Sequence, residues 1–192
     1  MASSAVVFDC DGLLLDTESC WSRGEKALFE AYGVEFTPEH DQQLLGAGGE
    51  EVGRLLARVF EQPGREDALV EELISLCWEE VTTKAEPMPG ALALVKELHG
   101  SAPIGVASNS PRAMVEAALQ RAGFDGAFGV VLGADDVACP KPDPEIYVSA
   151  CEGLGAAPEE SVALEDSQTG VAAARAAGMY VIGVCLPTRA SS

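Results

Sequence analysis

The sequence is poor in basic residues relative to acidic ones. It has only 12 lysines and arginines against 31 aspartates and glutamates, which gives a formal net charge of -19. Such a balance repels nucleic acid and anionic membranes unless a local basic patch offsets it, and the sequence shows no such patch. We therefore expect neither nucleic acid nor a membrane among the partners of this chain.

Signals for export and for membrane insertion are missing as well. Residues 1–8 carry no basic segment and too short an apolar stretch for a signal peptide, and no apolar run reaches the length that a membrane requires. The six cysteines include no C-x-x-C pair, which fits reduced thiols better than a disulfide framework or a zinc site. These observations predict a cytoplasmic protein, and a monomer is favoured.

What the chain does have is a series of short aliphatic runs in a sequence that is 47% apolar. The runs are Val6–Phe8, Ile104–Ala107, Val130–Leu132, Val162–Leu164 and Val181–Val184. Their continuous apolar character predicts strands buried on both faces, with helices between the last four. Ser110 before Pro111 and Asp143 before Pro144 are the expected N-caps of two of these helices. The sequence therefore predicts an α/β fold with a doubly wound, Rossmann-like parallel sheet.

The segment between the first two runs is far longer than a crossover helix requires, and most of it has helical periodicity. We predict an inserted all-α cap at residues 17–88 and a sheet core at residues 1–16 and 89–192. The helices of the cap are expected at Glu18–Tyr32, Pro38–Leu44, Glu50–Glu61 and Arg65–Lys84. The chain stops soon after the fifth run, so the last strand is expected either as an open sheet edge or as one that a partner covers.

Polar residues follow the strands at the edge where a parallel sheet binds its ligands. They are Asp9 and Asp11 after the first run, Ser108 and Asn109 after the second, Lys141 in a later loop, and Glu165 and Asp166 after the fourth run. Carboxylates that converge on one rim repel each other unless a hard cation lies among them, and oxygen ligands favour Mg²⁺ over zinc. A cation, a lysine and a serine hydroxyl together suit a phosphoryl group. The pattern predicts a magnesium site that binds phosphate.

Each of these residues also has a plainer interpretation. The Asp9-x-Asp11 pair is common in turns, Ser108 and Asn109 could cap the next helix, and a lone Lys141 is usually solvated. The Glu165-Asp166 pair could likewise cap the helix that begins near Gln168. The occurrence of all of them together, in this order and at strand ends, favours chemistry over these alternatives.

Four segments carry a specific resemblance to a known family. They are Val7–Glu18, Ala107–Ser110, Lys141–Pro144 and Leu164–Gly170. Together they resemble the four motifs of the haloacid dehalogenase superfamily, and the chain is most similar to the branch of sugar-phosphate phosphatases and β-phosphoglucomutases with a helical cap after the first motif. The resemblance covers nearly the whole chain.

The resemblance implies a role for each matching residue. Asp9 would be the nucleophile that forms an aspartyl phosphate, and Asp11 would protonate the leaving oxygen and then deprotonate the hydrolytic water. Ser108, Asn109 and Lys141 would bind the phosphoryl group. Mg²⁺ would be held by Asp9, by the carbonyl of Asp11 and by Asp166, with Glu165 beside or behind it.

The resemblance also implies a small phosphorylated metabolite, a sugar or polyol phosphate, as substrate. Members that dehalogenate or cleave carbon–phosphorus bonds lack an acid at the position of Asp11. Mutases carry a cap histidine where Trp21 stands and an arginine where Gly49 stands, so we predict a Mg²⁺-dependent phosphatase, although Arg23, Lys26 or Arg54 could substitute for these groups. A phosphomutase and a non-catalytic phosphate-binding or receiver-like module are the alternatives. Gly46 and Gly49 fall where this family places its specificity loop, although a flexible turn between helices explains them equally well.

Overall fold

The computed structural model describes residues 4–45 and 47–184 of the chain. Its strands are β1 Val6–Phe8, β2 Leu15–Asp16, β3 Glu86–Pro87, β4 Ile104–Ala107, β5 Val130–Leu132, β6 Val162–Glu165 and β7 Tyr180–Gly183. Its helices are α1 Glu18–Ala31, α2 Pro38–Leu44, α3 Gly49–Val59, α4 Glu66–Lys84, α5 Ala91–Leu98, α6 Arg112–Arg121, α7 Glu145–Gly153 and α8 Gln168–Ala176.

Five of the strands form a parallel sheet in the order β5-β4-β1-β6-β7. Val7 in β1 lies opposite Gly105 on one side and Ala163 on the other. The chain winds outward from β1 through β4 and β5 and then crosses back to β6 and β7, so the winding reverses at β1. Ligands bind at such a reversal point, beyond the carboxyl ends of the strands. The predicted doubly wound α/β fold is confirmed.

Both faces of the sheet are covered, which explains the continuous apolar character of the strands. Val7 packs in a cluster with Ile146 and Tyr147 of α7, whereas its neighbour Phe8 packs in a cluster with Met114 of α6. Successive side chains of a strand point to opposite faces, so each face of β1 meets a different helical layer. Burial of each such side chain contributes about 1.5–3 kcal/mol.

Four helices, α1 to α4, separate β1 from the next strand of the large sheet. Helix α2 has the predicted bounds, and the bounds of the other three differ from the predicted ones by at most two residues. The chain enters and leaves this helical segment through β2 and β3, which pair antiparallel with Leu15 opposite Pro87 and Asp16 opposite Glu86. The division into a cap at residues 17–88 and a core around it remains a proposal that fits this arrangement.

The predicted N-caps Ser110 and Asp143 each lie one residue before the observed ones, Pro111 and Pro144. Helix α6 begins at Arg112 after Pro111, and α7 begins at Glu145 after Pro144. Asp143 still accepts a hydrogen bond from the backbone N–H of Glu145 at 3.0 Å. Ser110 does not cap α6, because its hydroxyl hydrogen-bonds to a carboxylate of the site described below.

Five of the six cysteines lie among the described residues. Cys10, Cys20, Cys77 and Cys151 are buried, Cys139 is exposed, and all five are free thiols. Cys185 lies outside the described residues. In the described part of the chain, no helix combines the length and the apolar character needed to cross a membrane.

Candidate active site

A buried lysine lies between two buried carboxylates at the carboxyl end of the sheet. Lys141 Nζ donates to Asp9 Oδ1 at 2.5 Å and to Glu165 Oε1 at 2.6 Å. Asp9 follows β1, Glu165 ends β6, and Lys141 reaches them from the loop before α7. Asp9 is 7% exposed, Lys141 is 3% exposed and Glu165 is fully buried. Charges buried this deeply persist only when they are paired.

Glu165 is held by more partners than Lys141 alone. The Tyr147 hydroxyl donates to Glu165 Oε1 at 2.6 Å, and the Ser167 hydroxyl donates to Oε2 at 3.1 Å. Gly170 lies against the same carboxylate, where a Cβ atom would stand 1.8 Å from Oε1. The side chain of Glu165 is therefore fixed from several directions.

Three carboxylates lie close enough together to share one cation. Ligand atoms of Asp9, Glu165 and Asp166 lie within 4.8 Å of one another. Gly12 permits the approach of Asp166, because a Cβ at this position would meet Asp166 Oδ2 at 2.2 Å and the backbone φ of +80° disfavours other residues. The donor set contains only oxygen, which suits Mg²⁺, and three carboxylates face a single ammonium group. The residues present thus fit a divalent ion.

The pKa values of the site reflect crowding as well as pairing. Burial raises the pKa of Asp9 well above its usual range against the opposing effect of Lys141, and Glu165 and Asp11 raise it further. Burial of the carboxyl and the charge of Glu165 raise the pKa of Asp166 to about 6, although the residue as a whole is exposed at the rim. Burial disfavours the charge of Lys141, but Asp9, Tyr147 and Glu165 outweigh it and hold the pKa of Lys141 well above its usual range.

The carboxylate of Asp11 is held by three donors. The hydroxyls of Ser108 and Ser110 donate to Asp11 Oδ2 at 2.9 Å and 2.8 Å. The indole Nε1–H of Trp21, in α1, donates to Asp11 Oδ1 at 3.2 Å. A side chain of the inserted helices therefore contacts the acid that follows β1, and Ser108 contacts this acid rather than capping α6.

Two hydrogen bonds join the loop of Lys141 to Asn109, which follows β4. The Asn109 amide donates to the Lys141 carbonyl at 3.1 Å, and the Lys141 N–H donates to Asn109 Oδ1 at 3.0 Å. The loop between α2 and α3 reaches the same place, because a Cβ on the buried Gly48 would lie 3.4 Å from the Lys141 carbonyl oxygen. Gly49 is exposed, and the nearest atom to a Cβ there would be Val70 Cγ1 at 4.0 Å. Gly46 lies outside the described residues.

Several residues of this site were not among the predicted site residues. They are Ser110, Tyr147, Ser167, Gly170, Gly48 and the indole of Trp21 as a hydrogen-bond donor. Ser110, Ser167 and Gly170 lie inside the four motif segments, and that position is the one signal that could have indicated them. Tyr147 reaches Glu165 only because α7 packs on the sheet, and a sequence pattern does not reveal that packing.

Comparison with curated proteins finds phosphatases. The chain is 30% identical over 186 residues to fructose-1-phosphate phosphatase YqaB of Escherichia coli, covering 95% of the chain and 97% of the relative. It is 33% identical over 189 residues to hexitol phosphatase B of the same species, covering 95% and 84%. The bifunctional riboflavin kinase/FMN phosphatase of Arabidopsis thaliana is 31% identical over 95% of the chain, which spans only 48% of that longer protein.

Comparison with solved structures agrees. The crystal structure of CbbY from Rhodobacter sphaeroides in complex with phosphate superimposes with a TM-score of 0.82 at 29% identity, covering 99% of this chain and 90% of that one. The family profile of haloacid dehalogenase-like hydrolases matches residues 4–178. These matches confirm both the resemblance and the predicted enzyme class, a phosphatase. The chain therefore belongs to the haloacid dehalogenase-like hydrolase family.

Proposed function

We propose that the protein is a Mg²⁺-dependent phosphatase that hydrolyses a small sugar or polyol phosphate through an aspartyl-phosphate intermediate. One observation carries the proposal: Asp9 lies in a cluster with Glu165 and Asp166 that fits a divalent ion, and its carboxylate is paired with Lys141 at 2.5 Å. A carboxylate nucleophile next to a cation site and a fixed ammonium group suits attack on an anionic phosphoryl group.

In the first half of the reaction, a carboxylate oxygen of Asp9 attacks phosphorus and the bond to the leaving oxygen breaks. Asp11 donates a proton to that oxygen, which departs as an alcohol. The hydrogen bonds from Ser108, Ser110 and Trp21 hold the carboxyl group of Asp11 in place beside the nucleophile. Lys141 pairs with Asp9 and the phosphoryl oxygens and thereby reduces the repulsion between the two anions.

In the second half, water attacks the phosphorus of the aspartyl phosphate. Asp11, now deprotonated, accepts the proton of this water, and the bond between phosphorus and Asp9 breaks. Inorganic phosphate leaves, and both carboxyl groups return to their starting states. Asp11 thus acts once as an acid and once as a base.

We infer that Asp9, the Asp11 carbonyl and Asp166 hold the Mg²⁺ ion, and that Glu165 serves mainly to position Lys141. Glu165 already accepts hydrogen bonds from Lys141, Tyr147 and Ser167, which supports a place behind the ion rather than on it. When bound, the ion would neutralise phosphoryl charge and align the phosphoryl group with Asp9.

The proposed substrate class follows from the relatives, whose names include a fructose-1-phosphate phosphatase and a hexitol phosphatase. Small metabolites of this kind are consistent with a cytoplasmic location, which we also propose. The mutase alternative is less well supported, because a mutase needs cationic groups in its cap for a second phosphate. Arg23 is paired with Glu80, Arg54 is paired with Glu50, and Lys26 Nζ lies 5.9 Å from the centre of the Phe36 ring.

The test is release of phosphate from a panel of sugar and polyol phosphates with Mg²⁺ and with EDTA. We expect activity that requires the metal and falls on the order of 10³-fold or more in Asp9→Asn, because the amide is a poor nucleophile. Asp125→Asn is the matched control, since Asp125 is exposed in the loop after α6. Full activity of Asp9→Asn would contradict the mechanism, and turnover that needs a bisphosphate activator and releases little phosphate would indicate a mutase.

A further inference from the structure

Glu25 is a buried acid of α1 that the reaction above does not use. It is 9% exposed. Within the described residues it has no hydrogen-bond or salt-bridge partner, and its carboxylate oxygens keep some accessible surface. A carboxyl group that is buried without a protein partner is unfavourable, so its retention calls for an explanation.

The position of Glu25 relates it to the acid of the site. Glu25 lies four residues after Trp21 in α1, and residues with this spacing share one face of a helix. Trp21 contacts Asp11 at 3.2 Å. Since a helix rises about 1.5 Å per residue, Glu25 lies about 6 Å farther along α1 than Trp21, which is roughly the length of a small sugar or polyol chain.

Glu25 of α1 interacts with residues of two other inserted helices. Its charge interacts with Asp41 of α2 and with Lys26, and it also acts on Cys77 of α4. Helix α2 leads into the loop of Gly48, where a Cβ would lie 3.4 Å from the Lys141 carbonyl oxygen. Glu25 therefore interacts with a helix whose following loop approaches the site.

We infer that Glu25 is a specificity-determining residue that binds a hydroxyl group of the leaving group of the substrate. This inference rests on the proposed function. A carboxyl group can accept a hydrogen bond from an alcohol, and a site built for such a contact discriminates strongly against analogues that lack the hydroxyl. The accessible oxygens of an otherwise buried side chain are the atoms that such a hydroxyl would reach.

The test compares two substrates in two variants of Glu25. The substrates are p-nitrophenyl phosphate, whose leaving group has no additional hydroxyl, and the sugar or polyol phosphate that the wild type hydrolyses fastest. At about pH 8.5, above the pKa of about 7 to which burial raises the Glu25 carboxyl, this group is mostly ionised. In Glu25→Leu at this pH we expect kcat/KM for the hydroxylated substrate to fall about 10- to 100-fold, as for loss of a hydrogen bond to a charged group, with little change for p-nitrophenyl phosphate. Glu25→Gln keeps an acceptor of similar shape. In this variant the ratio of kcat/KM for the hydroxylated substrate to kcat/KM for p-nitrophenyl phosphate should fall only about 3- to 10-fold.

Glu30→Leu and Glu30→Gln are matched controls, because Glu30 is an exposed acid of the same helix. Equal losses for both substrates, or no change in their ratio, would overturn the inference and indicate a structural role. If Glu25→Leu does not fold, the ratio in Glu25→Gln decides. A wild type that releases phosphate from neither substrate would instead contradict the proposed function, so the two failures are distinguishable.

Discussion

At the scale of single residues, the absence of a side chain at Gly170 permits the arrangement of Glu165. Helix propensity alone predicts that Gly170→Ala, in α8, stabilises the protein by about 1 kcal/mol. The added Cβ would stand 1.8 Å from Glu165 Oε1, so we expect the opposite result, a loss on the order of 1–3 kcal/mol together with a loss of activity. Urea unfolding and phosphate release measure the two effects. Gly183→Ala is the control, since among the described residues no atom other than those of its chain neighbours lies within 4 Å of a Cβ there. A stabilised, active Gly170→Ala would contradict the prediction.

Glu25 gives a second prediction at this scale, about pH. Burial and, to a smaller extent, Asp41 raise the pKa of its carboxyl in the folded protein from 4.5 to about 7. The folded state therefore holds more protons than the unfolded state between these values, and the contribution of Glu25 to stability falls as pH rises through them. Glu25→Gln does not titrate, so its free energy of unfolding relative to the wild type should increase by about 1–3 kcal/mol between about pH 5 and about pH 8. A difference that is constant with pH would contradict this prediction, and Glu30→Gln, at an exposed acid of the same helix, is the control.

At the scale of elements, helix α1 matters because it brings Trp21 to Asp11. Trp21→Phe keeps an aromatic ring but removes the Nε1–H donor, so Asp11 loses one of its three hydrogen bonds. We expect kcat to fall about 10-fold, with a small change in melting temperature. Trp78→Phe is the control, because Trp78 is 41% exposed on α4. An unchanged kcat in Trp21→Phe would mean that this contact does not position the acid.

The elements also show what could be predicted from the sequence. The five strands of the large sheet were predictable because each is a short apolar run between helices. Asp9, Lys141 and Asp166 were predictable as neighbours, since the ends of parallel strands meet at one edge. The approach of Gly48 to the Lys141 carbonyl was not predicted, because it depends on the path of the loop after α2. The fixing of Glu165 by Tyr147 depends in the same way on the packing of α7.

At the scale of the whole molecule, the net charge of -19 opposes the approach of an anionic substrate. Salt screens such repulsion over about 10 Å at 0.1 M ionic strength. We therefore expect kcat/KM for a phosphomonoester to rise about 2- to 5-fold between about 0.02 M and about 0.15 M KCl at saturating Mg²⁺. Sucrose at matched osmolality is the control for effects that do not depend on charge. A fall of kcat/KM with salt would contradict this prediction, because it would show that electrostatic attraction of the substrate at the active site outweighs repulsion by the net charge.

The paired strands β2 and β3 have a consequence for the whole molecule. Both connections between the four inserted helices and the sheet pass through one short ribbon, in which Leu15 lies opposite Pro87 and Asp16 opposite Glu86. Two adjacent, hydrogen-bonded connections permit rotation of the helices about one axis more readily than translation. The helices would then move as a rigid body about this hinge. The indole of Trp21 would separate from Asp11, and the loop of Gly48 from the Lys141 carbonyl, in the same event and at the same rate.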